Sequence, residues 1–244
     1  METSFIIPAY NEEKYIEDCL RSIYALEELA DFEILVVDNG STDRTTVLVE
    51  EKFPEVKILK EKRRGPNWAR QMGFENSKGE MIIFIDADTR PPTHWYKRIH
   101  HYFDSTASLV ALSGPYRYYD GSLWVKLIIE LLFTKFIAPL EQFLIHDVFR
   151  KGTLFYGADM AVKRDALEKI GGLDTRIVFF GDDTDLGRRL LEAGDVKFLN
   201  SLWVYSSARR LKWEGAKVLV SYTVNFISQL FFKKVITKDH KDIR

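Results

Sequence analysis

Two pairs of aspartates, each pair one residue apart, are the groups in this 244-residue chain best suited to chemistry: Asp86-Ala87-Asp88 and Asp183-Thr184-Asp185. The first pair closes the apolar run Ile82-Ile83-Phe84-Ile85. Ending a buried strand on two like charges is costly unless a cation or hydrogen-bond donors meet them. Hard carboxylate oxygens suit Mg²⁺ or Mn²⁺ sharing phosphate oxygens. The spacing itself is cheap, since it occurs twice, and the strand-end position is what favours a metal over a capping aspartate. The second pair belongs to Gly181-Asp182-Asp183-Thr184-Asp185. The helix dipole favours acids in a first turn, but three aspartates within four residues exceed what capping needs.

These groups need elements that bring them together. Through about residue 115, short β-branched runs alternate with helical patterns, as in parallel strands joined by crossover helices. Strands are predicted at Ser4–Ile7, Glu33–Asp38, Val56–Leu59 and Met81–Asp86, with helices over Glu12–Leu26, Thr42–Lys52 and Pro66–Asn76. Asn11 is expected to cap the first helix. Ligands of an open parallel sheet lie beyond the carboxyl ends of its strands. Four polar segments occupy such positions: Pro8–Glu12, Asp38–Asp43, Lys62–Trp68 and Asp86–Asp88. Each alone also reads as ordinary turn and cap chemistry. The glycine patterns G-x-G-x-x-G and G-x-x-x-x-G-K-[ST] are missing, which argues against hydride transfer and nucleoside triphosphate hydrolysis. Further on, Leu123–Phe149 reads as an amphipathic helix interrupted by Pro139, punctuated by too many charges for a membrane span. A strand is predicted at Leu154–Val162, helices at Arg164–Ile170 and Leu186–Ala193, and a strand pair near Val196–Leu199 and Trp203–Tyr205.

Composition narrows the function classes. The chain carries 35 basic and 36 acidic residues, a net charge of −1, so nothing in the total charge suggests a phosphate-coating nucleic-acid binder, and any basic patch must be local. Its 46% apolar content supplies a sizeable core. The single cysteine, Cys19, has no partner for a disulfide or a thiolate metal site, which fits a reducing compartment and a buried helix position. None of the five histidines shows metal-ligand spacing. Met1-Glu2-Thr3-Ser4 runs straight into a strand, so no cleaved signal peptide is expected and a cytoplasmic location is. From Arg209 to Arg244 nine basic residues face three acids, and Val218–Phe232 holds no charge over fifteen residues. That pattern fits peripheral contact with the cytoplasmic face of a membrane. The competing expectation is burial against the catalytic body or in a homodimer.

Taken together and in order, five segments resemble family 2 glycosyltransferases: Pro8-Ala9-Tyr10-Asn11-Glu12, Val36–Asp43, Asn67-Trp68-Ala69-Arg70-Gln71-Met72-Gly73, Asp86-Ala87-Asp88, and Gly181–Leu186. The resemblance spans about residues 4–210. It implies a GT-A fold, Rossmann-like with a mostly parallel sheet flanked by helices. Residues 1–210 would form the catalytic domain, with a nucleotide-binding half to about 115 and an acceptor half from 116. Residues 211–244 would add an amphipathic helix and basic tail. It also implies hexosyl-type transfer with inversion from a nucleoside-diphosphate-sugar to a glycan or lipid-linked acceptor, assisted by Mg²⁺ or Mn²⁺. Pro8, Ala9, Tyr10, Glu12 and Asp38 would hold base and ribose, and Asp38 can accept a ring N–H of uracil, thymine or guanine alike. Arg70 would lie near the nucleotide and phosphates, Asp86 and Ala87 at ribose or sugar, and Asp88 on the metal. Asp159 stands in an acceptor-side loop that more often reads Gly-Ala-Asn. Asp182-Asp183 replaces Glu-Asp, and Asp183 aligns with the general base; crowding by other carboxylates raises its pKa and suits it to take a proton. The late metal-ligating histidine and the Gln/Arg-x-x-Arg-Trp motif are missing from Tyr205–Arg210, which weighs against processive synthesis. Arg209 and Arg210 could instead neutralise a departing diphosphate.

Two rivals remain at this level. A sugar-phosphate nucleotidyltransferase should carry a glycine-rich basic loop after its first strand, and Pro8–Glu12 is not one. A degenerate transferase serving as a membrane- or protein-binding module would have little reason to keep Asp86, Asp88 and Asp183.

Overall fold

A computed structural model describes residues 1–122, 155–177 and 181–214, together with Val224 and Ser228. The predicted helix at 123–149 and most of the basic tail lie outside the described residues. The elements in chain order are β1 (Thr3–Ala9), α1 (Ile16–Tyr24), β2 (Phe32–Asp38), α2 (Thr45–Lys52), β3 (Lys57–Lys60), α3 (Pro66–Glu75), β4 (Met81–Ile85), α4 (Trp95–Ser105), β5 (Leu109–Ser113), β6 (Tyr116–Tyr118), β7 (Asp159–Lys163), α5 (Arg164–Lys169), α6 (Asp182–Leu190), β8 (Asp195–Phe198), β9 (Val204–Ser206) and α7 (Arg209–Glu214).

Seven strands form the main sheet in the order β3-β2-β1-β4-β7-β5-β8. All neighbours run parallel except β7, which is antiparallel to both β4 and β5. Apolar residues on successive strand positions serve opposite faces, so the sheet is buried on both sides, as parallel strands require. Phe5, Ile7, Val36, Ile83 and Ile85 pack with Ile16, Leu20, Ile23, Trp95 and Ile99 of α1 and α4. Ile6, Val37, Ile82 and Phe84 pack with Ala69, Leu167, Leu186 and Leu190 of α3, α5 and α6. The chain winds outward from β1 to β2 and β3, then crosses back to β4 on the other side. The carboxyl ends of β1 and β4 therefore flank the crevice where such a sheet receives ligands.

Several expectations need correction. Asn11 does not cap α1: its φ of 52° is left-handed, its Oδ1 accepts the Thr42 amide at 2.8 Å, and the helix begins only at Ile16. The α2 helix starts at Thr45 rather than Thr42, because Asp43 Oδ1 accepts the Thr45 amide at 3.0 Å and draws residues 42–44 into a turn. The strands near 196 and 204 do not pair with each other. β8 extends the main sheet beside β5, whereas β9 pairs with β6 in a separate two-stranded sheet. That small sheet is pinned to the turn after β4 by reciprocal backbone bonds between Arg90 and Tyr205, at 2.8 and 3.0 Å.

Gly73 lets α3 lie directly on β1: a Cβ there would sit 2.3 Å from Ile6 Cγ2 and 3.2 Å from Val37 Cγ2. Gly73→Ala should destabilise the protein by about 1–3 kcal/mol, since the helix or the β1 side chains must shift. Urea unfolding checks this: the midpoint should fall with an unchanged slope, and an unaltered midpoint would show that the contact relaxes without cost.

Candidate active site

The loops beyond β1 and β2 are laced together by side chains. Asn11 N–H donates to Ser41 Oγ at 2.9 Å, Glu12 N–H to Thr45 Oγ1 at 2.7 Å, and Glu13 N–H to Asp43 Oδ2 at 3.0 Å. Asp38 is buried at the end of β2, and its Oδ1 accepts the Ser41 amide at 3.0 Å. Asn39 reaches the third loop, donating to the carbonyls of Glu61 and Arg63 and accepting the Gly65 amide at 2.9 Å. Pro8, Ala9 and Tyr10 complete the β1 side, and Arg64 donates to the Tyr10 hydroxyl at 3.2 Å.

Helix α3 organises the other half. Residue 65, immediately before it, is a glycine with φ 131°, and Pro66 opens the first turn. Asn67 and Gln71 lie one helical turn apart and hold the 173–177 loop, Asn67 through the carbonyls of Asp174 and Ile177, Gln71 through the Leu173 amide at 2.8 Å. Between them Arg70, only 4% exposed, donates from Nη1 to Asp182 Oδ2 at 2.8 Å and from Nη2 to Asp86 Oδ1 at 2.9 Å. Its Nη2 also reaches the Gly157 carbonyl at 3.4 Å. Burial opposes the Arg70 charge, but Asp86 and Asp182 overcome it and hold the guanidinium ionised.

The acidic run at the start of α6 divides three ways. Gly181, at φ 84°, turns the chain into the helix. Asp182 pairs with Arg70, while Asp185 pairs with Arg188 at 2.9 Å and Arg189 at 2.7 Å as a structural anchor. Asp183 Oδ1 accepts from Thr184, the amide at 2.7 Å and the hydroxyl at 3.4 Å, and no arginine pairs with it among the described residues. Burial and the adjacent Asp182 charge push the Asp183 carboxyl up to about 7. Burial raises Asp182 too, with Arg70 pulling against it.

A second guanidinium closes the β1 side. Arg209, the first residue of α7, donates from Nη1 and Nη2 to the two oxygens of buried Glu12 at 2.7 and 2.6 Å. Its Nη2 also lies 3.0 Å from Asp88 Oδ2, and its guanidinium sits over the Tyr15 ring. Asp120 aims it, accepting the Ala208 amide at 2.6 Å and the Ser207 hydroxyl at 2.9 Å. Asp120 is a site residue that the sequence reading missed, since nothing in Tyr119-Asp120-Gly121 distinguishes it from a turn.

The structure thus brings Glu12, Asp88 and Arg209 together, and separately Arg70, Asp86 and Asp182 with Asp183. Ala87 is buried between the two aspartates of its motif, and Arg210 is half-buried beside Arg209. Asp159 stands apart: it is buried beneath the crevice opposite Ile85, with Ser113 donating to Oδ1 at 3.0 Å and burial holding its carboxyl well above the usual range. Among the described residues no three His, Cys, Asp or Glu side chains gather as a metal cluster. Asp88 offers a hard carboxylate oxygen at the crevice, the donor type a divalent cation takes, and in this structure Arg209 pairs with it.

This sheet, with its acidic crevice at the switch point, defines the GT-A class of α/β proteins. Within it, the chain belongs to the family described as glycosyl transferase family 2, whose model matches residues 4–171. Glycosyltransferase AglE of Haloferax volcanii is 29% identical over 205 residues, covering 79% of this chain and 64% of that protein. A probable glycosyltransferase, YdaM of Bacillus subtilis, is 26% identical across 94% of this chain and 58% of its own length. The chain spans about three-fifths of the length of these curated relatives. The mannosyltransferase PcManGT from Pyrobaculum calidifontis, solved in complex with GDP-Man and Mn²⁺, shares the fold with a TM-score of 0.71 at 22% identity, covering 98% of this chain and 65% of that one.

The raised Asp183 pKa carries a stability signature. In the unfolded chain the group ionises near 3.8, in the folded protein near 7, so the folded state binds the extra proton between these values and loses stability as pH climbs through that window. Asp183→Asn keeps the shape and the Thr184 contact while removing the charge. Its melting temperature should match the wild type below pH 4 and exceed it at pH 8; an equal or lower value at pH 8 would exclude a buried, destabilised carboxylate.

Proposed function

We propose that this chain transfers a hexosyl-type sugar from a nucleoside-diphosphate-sugar to an acceptor hydroxyl, with inversion at the anomeric carbon. The observation that carries this reading is the placement of Asp183. Arg70 takes up the charges of Asp86 and Asp182, and Asp183 beside them keeps a carboxyl poised near neutral pH. A base working around pH 7 is most effective with a pKa near that value. As the acceptor oxygen attacks the anomeric carbon, its proton passes to Asp183. The new C–O bond forms while the bond to the β-phosphate oxygen breaks, and that electron pair leaves on the diphosphate. One displacement from the face opposite the leaving group inverts the centre.

Pro8, Ala9, Tyr10, Glu12 and Asp38 are suited to base and ribose at the β1 and β2 ends, with Asp86 and Ala87 facing ribose or sugar. Asp88 would hold Mg²⁺ or Mn²⁺, which when bound neutralises charge on the diphosphate. Arg209 and Arg210 offer guanidinium donors to the same phosphates, and a guanidinium fork matches phosphate geometry. PcManGT, with its GDP-Man and Mn²⁺, supports the donor class. The basic, aromatic-rich end of the chain supports peripheral membrane contact and with it a lipid-linked acceptor, delivered at the surface where the tail binds. No helix among the described residues is long and apolar enough to cross a membrane.

Three measurements test this. Asp183→Asn should lower turnover by about 10²–10⁴ with donor affinity retained, and wild-type turnover should rise with pH through about 7. A collapse of donor affinity instead would make Asp183 a binding residue. Co-sedimentation with anionic liposomes should be strong at low salt and weak at high salt; no binding of the full chain at either would favour a homodimer or core burial for the tail.

A further inference from the structure

The position of Arg209 has a consequence for the order in which the site fills. Its guanidinium, 15% exposed, bridges Glu12 and Asp88 across the crevice between β1 and β4. The Asp88 oxygen at 3.0 Å from Arg209 Nη2 belongs to the carboxylate that suits a divalent cation. Glu12 binds both ends of the fork, so Arg209 stays anchored whichever partner its Nη2 shares.

We propose that Arg209 makes cation binding at Asp88 conditional on the nucleoside diphosphate, holding Asp88 in the resting site and turning to the diphosphate when the donor arrives. This inference rests on the donor reading given above. Arg209 offsets part of the negative charge that Glu12 and Asp88 bring to the crevice. A divalent cation arriving alone would place two cationic centres on one carboxylate, and their repulsion weakens its hold. A cation arriving with a diphosphate brings its own anion, and the anion gives Arg209 a second partner of matching geometry. The preference is therefore for the cation–nucleotide pair over either part, and the coupling is reciprocal: each ligand tightens the other by the same factor. The backbone supports a small swing and not a rearrangement. Asp120 fixes the amide of Ala208 and the hydroxyl of Ser207, and Arg90 fixes β9, so the guanidinium moves on an anchored stem.

The experiment is Mn²⁺ titration of the full chain by calorimetry, with and without UDP or GDP, for the wild type, Arg209→Gln and Arg209→Lys. The wild type should bind Mn²⁺ alone on the order of tenfold more weakly than with a nucleoside diphosphate, a coupling within the usual range. Arg209→Gln should narrow that gap by binding Mn²⁺ alone more tightly, a gain that damage to the fold would not produce. Arg209→Lys, which keeps the charge, should keep most of the gap. Wild-type protein that takes Mn²⁺ alone as tightly as with the nucleotide would overturn the proposal without any variant. An unchanged or weaker Mn²⁺-alone affinity in Arg209→Gln would do the same. The donor reading fails differently: if neither nucleotide binds any of the three proteins, the donor assignment falls and this proposal with it, whereas nucleotides that bind without changing the Mn²⁺ affinity overturn the proposal alone.

Discussion

A buried guanidinium between two carboxylates is the constraint on which the crevice depends. Arg70 comes from α3, Asp86 from the end of β4 and Asp182 from the start of α6, so one side chain fixes three elements that are distant in sequence. Desolvating these groups is expensive, and removing one partner of such a cluster typically costs about 3–5 kcal/mol because the others are left buried without a counter-charge. The same helix spends its remaining polar residues on the task. Asn67 and Gln71 hold the 173–177 loop, and Gly73 sets the depth at which the helix meets β1. The segment Asn67-Trp68-Ala69-Arg70-Gln71-Met72-Gly73 is therefore read most fully as a docking surface for the site, and its arginine acts on protein carboxylates before it could meet a phosphate.

The second guanidinium repeats the arrangement on the other side of β4. Arg209 stands to Glu12 and Asp88 as Arg70 stands to Asp182 and Asp86: two carboxylates, one fork, most of it out of water. The two aspartates of Asp86-Ala87-Asp88 thus face different arginines, and buried Ala87 separates the two clusters. An apolar strand can end on two like charges here because each has its own cation from the protein. The same pairing tempers the argument that such a strand end must call for a metal, since donors within the chain already meet the charge.

The sheet was legible because its strands are short apolar runs bounded by turn residues. β1, β2 and β4 fall within two residues of their predicted bounds, and the crevice follows from strand order. Helix α4 and strand β5 carry readable signals, with Trp95, Ile99 and Phe103 at helical spacing, that the coarse alternation passes over. What could not be read was pairing across long separations. The 197-residue distance between Glu12 and Arg209, or the 112 between Arg70 and Asp182, leaves no local trace. The swap of β9 into a second sheet is of the same kind: its alternation is that of any strand, and its partner is chosen by Arg90 and β6. Local chemistry misled only where two uses of one residue compete. Asn11 has the type of a cap, but bonding the Thr42 amide ties two loops together and serves the crevice instead.

The division of labour among the α6 aspartates follows from distance to a guanidinium. Asp182 pairs with Arg70 and Asp185 with Arg188 and Arg189; no arginine pairs with Asp183 among the described residues, and burial with the neighbouring Asp182 charge pushes its carboxyl up to about 7. Moving an arginine onto Asp183 would stabilise the carboxylate and remove its appetite for a proton. Removing Arg70 would raise Asp183 further and leave it protonated when it should accept. The useful pKa is thus set by withholding a counter-charge from one carboxylate while supplying it to both neighbours, and the folding penalty this imposes is borne by the ion pairs on either side.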